Sequence, residues 1–513
     1  MPRRIRFVLA GVVAACLTLV PATTTAAPPG QAAKLRTAIT VQNMRAHEQA
    51  FQNIATANGG TRASGTAGYD ASVNYVVGQL RAAGYTPQIQ TFDFPFFQEL
   101  ATPVFERTAP TPRTYVPTTE FGTMTYSGSG DVTASLQEVN DNQFPPGPTP
   151  SSSNAGCEAA DFAGFTPGNV ALIQRGTCTF HDKALNAQTA GASAVVIFNE
   201  GQPGRTDAII GTLGSPDFTI PVIGTSFAIG EEFHTLLASG AVTVHIKTTT
   251  ISEIRQTANV LADTPGGDPN RVVVQGSHLD SVVPGPGIND NGSGSSYNLE
   301  AAIQISKKQI KPRNKIRFAW WGAEELNLLG SQFYVDSLSD AEFAKILANL
   351  NHDMIASPNF VRFVYDGDGS DTATAGPPGS AQIEQIFLDW FDSQGLATDP
   401  TAFDGRSDYG PFIARGAPAG GLFTGAEGIK TQAQADVYGG VAGEAYDRCY
   451  HQACDTISNL NNTAFDQMSD GAATALVTIA NTTGPLAATA TVTRAVAHQR
   501  AASAVYLGEL AQR

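Results

Sequence analysis

The stretch Val272-Val273-Val274-Gln275-Gly276-Ser277-His278-Leu279-Asp280 decides the architecture. Three β-branched residues in a row, without polar alternation, predict a short strand buried on both faces. A histidine and a carboxylate follow where that strand ends. The same pattern recurs downstream. Ile316-Arg317-Phe318-Ala319-Trp320-Trp321 runs into Gly322-Ala323-Glu324-Glu325, and Ile346 to Asn351 runs into His352-Asp353-Met354. Helical spacing fills the intervals, at about Gly294 to Lys307 and from about Asn327, and Ile383 to Phe391 is helical further on. Strands alternating with helices predict an α/β domain, with a mixed, mainly parallel sheet covered by helices on both faces. Such sheets bind ligands beyond the carboxyl ends of their strands, where these acids and histidines fall.

Upstream, Val41 to Ala57 and about Ala67 to Ala83 read as helices, stopped by Asn58-Gly59-Gly60 and by Gly84, and Gln88 to Phe92 alternates like a strand. From about 96 to 254 the chain changes to short strands and many turns. Strand candidates are Val170 to Gln174, Ala194 to Phe198 and Val242 to Lys247, with a short helix from Lys183 to Ala190 and a Pro- and Ser-rich loop over 145–153. At 513 residues the chain exceeds one ordinary domain. The expected organisation is a leader over 1–26, a first part of the α/β domain over 27–95, a β-rich insert over 96–254, the main α/β part over 255–483, and an Ala- and Thr-rich tail over 484–513 without an assigned role.

Arg3, Arg4 and Arg6 precede an apolar run from Phe7 to Val20 and small residues from Ala22 to Ala27. This is the layout of a secretory signal, cleaved near Ala26, and the run is too short to be a spanning helix. Val13-Ala14-Ala15-Cys16 offers the alternative of a lipid anchor through Cys16. Export suits the remaining cysteines, Cys157, Cys178, Cys449 and Cys454. Four cysteines permit three pairings; nearness in sequence favours Cys157 with Cys178 and Cys449 with Cys454. The net charge of −15 argues against nucleic acid as a partner and supplies carboxylates for cations.

Five segments place metal-type side chains together: His278 with Asp280, Asp290 before Gly292, Glu324 with Glu325, Asp353, and His451 after Tyr450. Imidazole nitrogen with carboxylate oxygen suits zinc. His278 and Asp280 share one face of an extended segment, so Asp280 is placed to hold the second ring nitrogen of His278. Glu324 and Glu325 diverge, so one can bind metal while the other reaches a water. Singly, each has an ordinary explanation: acids favour a helix N-terminus, a lone histidine packs, and Asp290 before glycine is a turn residue. Their shared position at strand ends outweighs those explanations.

The strings GSHLDSV (276–282), GINDNGSGS (287–295), RFAWWGAEELNLLGSQFYV (317–335), DGRSDYGPF (404–412), GGLFTGA (420–426) and DRCYHQACDT (447–456) carry a resemblance. Over about 40–95 and 255–480 the chain resembles the secreted bacterial double-zinc leucine aminopeptidases of the zinc exopeptidase superfamily. The resemblance implies two zinc ions. His278 and Asp353 would hold one, Glu325 and His451 the other, and Asp290 would bridge both. Glu324 would be the general base and Tyr450 the hydrogen-bond donor to the oxyanion. Arg406 would line the substrate end of the site, and Met354 and Phe423 would wall the pocket for the first side chain. A Cys449–Cys454 disulfide would brace His451. The implied substrates are peptides with a free N-terminus, large apolar first residues such as Leu being preferred, and a monomer is the favoured state.

Ile173-Gln174-Arg175-Gly176-Thr177-Cys178-Thr179-Phe180, with Lys183, Ala190-Gly191-Ala192 and Ile220-Pro221-Val222-Ile223, resembles a protease-associated (PA) domain. Such a domain is noncatalytic, and its expected role here is a lid or gate. His181 and His234 inside it read as structural. Three departures from the peptidase pattern stand out. His352 sits beside Asp353 where an apolar or aromatic residue is usual, and reads as a packing residue. Tyr409 replaces a histidine that is not a ligand. Asp466 and Asp470 keep the four-residue spacing of a calcium-binding pair in relatives, yet Ala38 stands at the third, N-terminal position, and a solvated helix face explains the pair equally well. A noncatalytic binding module would lack the ligand set. A carboxypeptidase or a glutaminyl cyclase on the same fold fits DGRSDYGPF and DRCYHQACDT less well.

Overall fold

A computed structural model describes residues 29–486. The expected leader, Cys16 and nearly all of the 484–513 tail lie outside the described residues. No helix among them is long and apolar enough to cross a membrane. The strands are β1 (Gln88–Ala109), β2 (Arg113–Thr114), β3 (Phe121–Thr123), β4 (Gly130–Glu138), β5 (Val170–Gln174), β6 (Ala194–Phe198), β7 (Val222–Thr225), β8 (Thr243–Asp263), β9 (Asp268–His278), β10 (Asn314–Trp321), β11 (Ile346–His352), β12 (Phe363–Tyr365), β13 (Asp399–Thr401) and β14 (Ala419–Phe423). They form one sheet in the order β13-β12-β14-β11-β9-β10-β8-β4-β5-β6-β7-β3, with β1 paired along β8 and β2 on β1.

The central strands β10, β9, β11 and β14 are mutually parallel. Their apolar runs are buried on both faces, as continuous hydrophobic strands require. On one face Val273, Phe318, Trp320 and Leu350 pack under the helices Val41–Ala57, Ala67–Ala82, Gly294–Lys307 and Asn462–Ala480, which contribute Phe51, Val76, Leu299 and Phe465. On the other, Val272, Val274, Ala319 and Trp321 meet Tyr334 and Val335 of the helix Leu329–Ser337 and Phe412 of Gly410–Ala414. The mixed α/β sheet, covered on both faces, is thus the observed fold. The helix expected from about Asn327 starts at Leu329, because Asn327 and Leu328 both take positive φ and complete a turn instead.

The insert has its own parallel strands, β4-β5-β6-β7, and two cores of its own. It is joined to the central sheet by the long pair β1 and β8, whose register runs from Gln88 opposite Leu261 to Ala109 opposite Thr243. The first part of β8 pairs with β4 and the last part with β10. The boundaries expected at 95/96 and 254/255 therefore fall inside continuous strands. Thr248-Thr249-Thr250-Ile251 is β-branched and has no turn residue to break it. Pro95 stays within the ladder, opposite Ile254, and β1 instead shifts register between Glu99 and Ala101 and again before Val104.

One buried polar residue fastens the strand pair to the edge where the acids gather. Asn259 on β8 accepts from the Gly322 amide at 3.1 Å and donates to the Gly330 carbonyl at 2.8 Å. Asn259→Leu keeps the bulk but leaves the buried Gly322 amide without its acceptor, a loss worth about 1–3 kcal/mol. We expect a clear fall in the thermal unfolding midpoint; an unchanged midpoint would remove Asn259 from this role.

Candidate metal centre

Three adjacent parallel strands end at one edge. His278 closes β9, directly opposite Trp321 of β10, and Asn351 of β11 pairs with Gly276 on the other side of β9. His278, the Glu324–Glu325 pair and Asp353 are thus delivered side by side. Asp290 comes from an irregular turn (φ −106°, ψ 95°) just ahead of the helix Gly294–Lys307. His451 comes from a loop closed by a Cys449–Cys454 disulfide; a second disulfide joins Cys157 to Cys178 in the insert. Ala323, Met354 and His451 all have φ between 50° and 58°. Left-handed conformations at non-glycine residues cost about 1 kcal/mol or more each and gather at functional sites.

The candidate ligand atoms converge. His278 Nε2 lies 3.3 Å from Asp290 Oδ1, 3.3 Å from Asp353 Oδ1 and 3.8 Å from Glu324 Oε2. His451 Nε2 lies 3.3 Å from Asp290 Oδ2 and 3.0 Å from Glu325 Oε2. The two oxygens of Asp290 therefore face different histidines. His278 Nε2, Glu325 Oε1 and Asp353 Oδ1 are buried without a hydrogen-bond partner. His278, Glu324 and Asp353 form one group able to hold a metal ion, and His278, Asp290 and Glu325 another.

The electrostatics match a site built for cations. Burial pushes the Glu324 carboxyl well above its ordinary range, against the pull of His278, and Asp353, Asp408 and Glu325 add to the rise. Burial, with Asp290 beside it, pushes Glu325 up to about 7. Burial would lower both imidazoles, but the surrounding carboxylates outweigh it, raising His278 well above its usual value and His451 to about 10. Burial works against the Asp290 carboxylate, yet the two imidazoles hold its pKa far below the usual range. Four carboxylates and two imidazoles crowd one largely buried site, and without a metal they share protons to stay near neutral. N/O donors of this kind suit zinc.

The other expected residues are placed as follows. Tyr450 stacks on the His451 ring, centroids 3.8 Å apart, and its hydroxyl receives a hydrogen bond from Arg406 Nη2 at 3.1 Å. Met354 is buried beside Asp353, and Phe423 stacks on Phe363. Asp280 differs from expectation: His278 Nδ1 bonds its backbone carbonyl at 3.1 Å, while the carboxylate stands 3.7 Å away and accepts from the Glu324 amide at 3.2 Å. It therefore holds the Glu324 segment as well as the ring. His352 is fully buried and packs edge-on against Tyr297 and Phe387, and burial lowers its pKa to about 3. Tyr409 donates to Asp404 at 2.7 Å. Asp466 is exposed, Asp470 is partly buried, and no third acid or histidine joins them among the described residues. A third acidic group, Asp366, Asp368 and Glu384, lies apart; Asp366 and Glu384 accept from amides of the loop 367–372.

Three supports escaped the sequence reading. The Asp455 carboxylate accepts from the Asn289 amide at 2.9 Å and the Asp290 amide at 3.0 Å. Asn351 donates to Ser407, which donates to Asp353 Oδ2 at 2.6 Å. The buried Arg62 guanidinium donates to the carbonyls of Leu279, Pro286 and Gly287, pinning the loop between His278 and Asp290. Asp455 and Ser407 sit inside the quoted strings, but nothing there marks them apart. Arg62 has no local signal, since its partners are backbone atoms more than two hundred residues away.

Comparison with known proteins identifies the family. Residues 259–476 match the model of peptidase family M28, and residues 134–233 match that of the PA domain. An aminopeptidase of Pseudomonas aeruginosa (strain UCBPP-PA14) is 46% identical over 429 residues, which are 83% of this chain and 78% of that protein. Leucine aminopeptidase 2 of Trichophyton equinum is 50% identical over 312 residues, 61% of this chain and 62% of that one. Among solved structures, the aminopeptidase from Aneurinibacillus sp. strain AM-1 superposes with a TM-score of 0.63 at 26% identity, covering 90% of this chain and 98% of that one. The chain belongs to peptidase family M28 and carries a PA domain ahead of the matched peptidase segment.

Proposed function

We propose that the chain is a secreted two-zinc aminopeptidase that removes the first residue from peptides. The observation that carries this is Asp290, whose two carboxylate oxygens each face a different histidine, with Asp353 completing one set and Glu325 the other. His278 and Asp353 would hold one zinc, Glu325 and His451 the second, and Asp290 both. Zinc bound there supplies Lewis acidity and a water acidic enough to lose a proton near neutral pH.

Glu324 does the proton work. It takes the proton of the attacking water and passes it to the departing amine. Its buried position keeps that carboxylate close to the reacting atoms. The Tyr450 hydroxyl donates to the carbonyl oxygen as negative charge develops on it. The Glu324 and Asp353 carboxylates receive the α-ammonium group of the substrate, which confines cleavage to the first bond. Met354 and the aromatic wall of Phe423 and Phe363 favour a large apolar first side chain such as Leu, in keeping with the name of the Trichophyton relative.

The insert is read as a gate to the site. In support, Phe96 and Ile251, at the root of the insert, share an apolar cluster with Ala323, Leu326 and Leu329, on the segment that carries the two glutamates. Two disulfides support export to an oxidising compartment.

Two outcomes test the proposal. Glu324→Gln should retain two zinc ions per chain and lose about 10²–10⁴-fold in kcat; near-normal turnover with full metal content would take the base role from Glu324. Leucine p-nitroanilide should be hydrolysed and its N-acetyl form left intact. Equal cleavage of both would refute an aminopeptidase.

A further inference from the structure

Tyr450 has one proton and must direct it. Arg406 is a pure donor, so its Nη2, 3.1 Å from the Tyr450 hydroxyl oxygen, gives a hydrogen bond and takes none. The phenol oxygen is thereby used as an acceptor on that side. Its own proton is left to point away from Arg406. The ring is held flat on His451, so the free direction is set by the same loop that carries a metal-type ligand.

Arg406 itself needs holding, because a long exposed side chain loses rotamer freedom when fixed in one pose. Two contacts do this. The Arg406 amide donates to Asp404 Oδ1 at 3.0 Å, which sets the backbone. Its Nη1 donates to Glu427 Oε1 at 2.9 Å, which sets the guanidinium. Glu427 is exposed, follows β14 in the GLFTGAEG segment, and has no place among the ligand, base or pocket residues.

We propose that Glu427 is a positioning residue: it holds Arg406, which by donating to Tyr450 turns the phenolic proton toward the reacting carbonyl oxygen. The inference rests on the oxyanion role given to Tyr450 above. Exposed ion pairs contribute little to stability, so the effect belongs to turnover and not to folding. A device that acts only as charge develops lowers kcat and leaves KM nearly unchanged when lost.

The test is a double-mutant cycle on the zinc-loaded enzyme with leucine p-nitroanilide. Glu427→Ala should lower kcat about three- to ten-fold, with KM within about two-fold and the unfolding midpoint unchanged. Glu427→Gln, which keeps an acceptor oxygen, should recover part of the loss. In a Tyr450→Phe background Glu427→Ala should change kcat no further. The same loss in both backgrounds, an effect confined to KM, or no effect in the parent enzyme would overturn the proposal. Full kcat in Tyr450→Phe alone would refute the oxyanion role first and this inference with it, an outcome distinct from failure of Glu427 by itself.

Discussion

Everything in the peptidase half is arranged around one carboxylate placed between two imidazoles. Asp290 presents one oxygen to His278 and the other to His451, each at 3.3 Å. The two imidazoles favour the Asp290 carboxylate, while burial and the neighbouring acids push Glu324 and Glu325 toward their neutral forms. The rest of the chain is asked to hold this crowded set of acids and imidazoles in place.

The means are mostly backbone clamps. Asp455 grips the amides of Asn289 and Asp290 and lies on the loop that also carries His451, next to its disulfide. One loop thus brings His451 to one side of Asp290 and fixes Asp290 from behind. Arg62 does the equivalent for the segment joining His278 to Asp290, with three carbonyl acceptors and no solvent exposure. Asn259 links the end of β10, where the glutamates hang, to the long strand that reaches into the PA region. Geometry at the site and the position of the insert share that strand.

The sequence carried the architecture well because the central strands are apolar without alternation, and only a doubly covered sheet buries such runs. It carried His278, Glu324, Glu325 and Asp353 because strand ends in a parallel sheet coincide with binding edges; Asp290 and His451 stand instead on a turn ahead of a helix and on a disulfide-closed loop. Two kinds of feature were not legible. The strands β1 and β8 run unbroken past residues 96 and 254, because Pro95 is accommodated in the ladder opposite Ile254 and no turn residue interrupts Thr248 to Ile251. The supports Arg62 and Asp455 act on backbone atoms distant in sequence, and no local pattern announces that. Asp280 shows the limit of spacing arguments: its placement beside His278 was readable, but the competition of the Glu324 amide for its carboxylate was not.

In the arrangement proposed for the site, two zinc ions would be bridged by Asp290. Anomalous difference density at the zinc absorption edge, from crystals of the zinc-loaded enzyme, tests it most directly. Two peaks are expected, one touching His278 and Asp353 and one touching Glu325 and His451, with Asp290 reaching both. A single peak at full metal loading, or two peaks of which Asp290 touches only one, would contradict it.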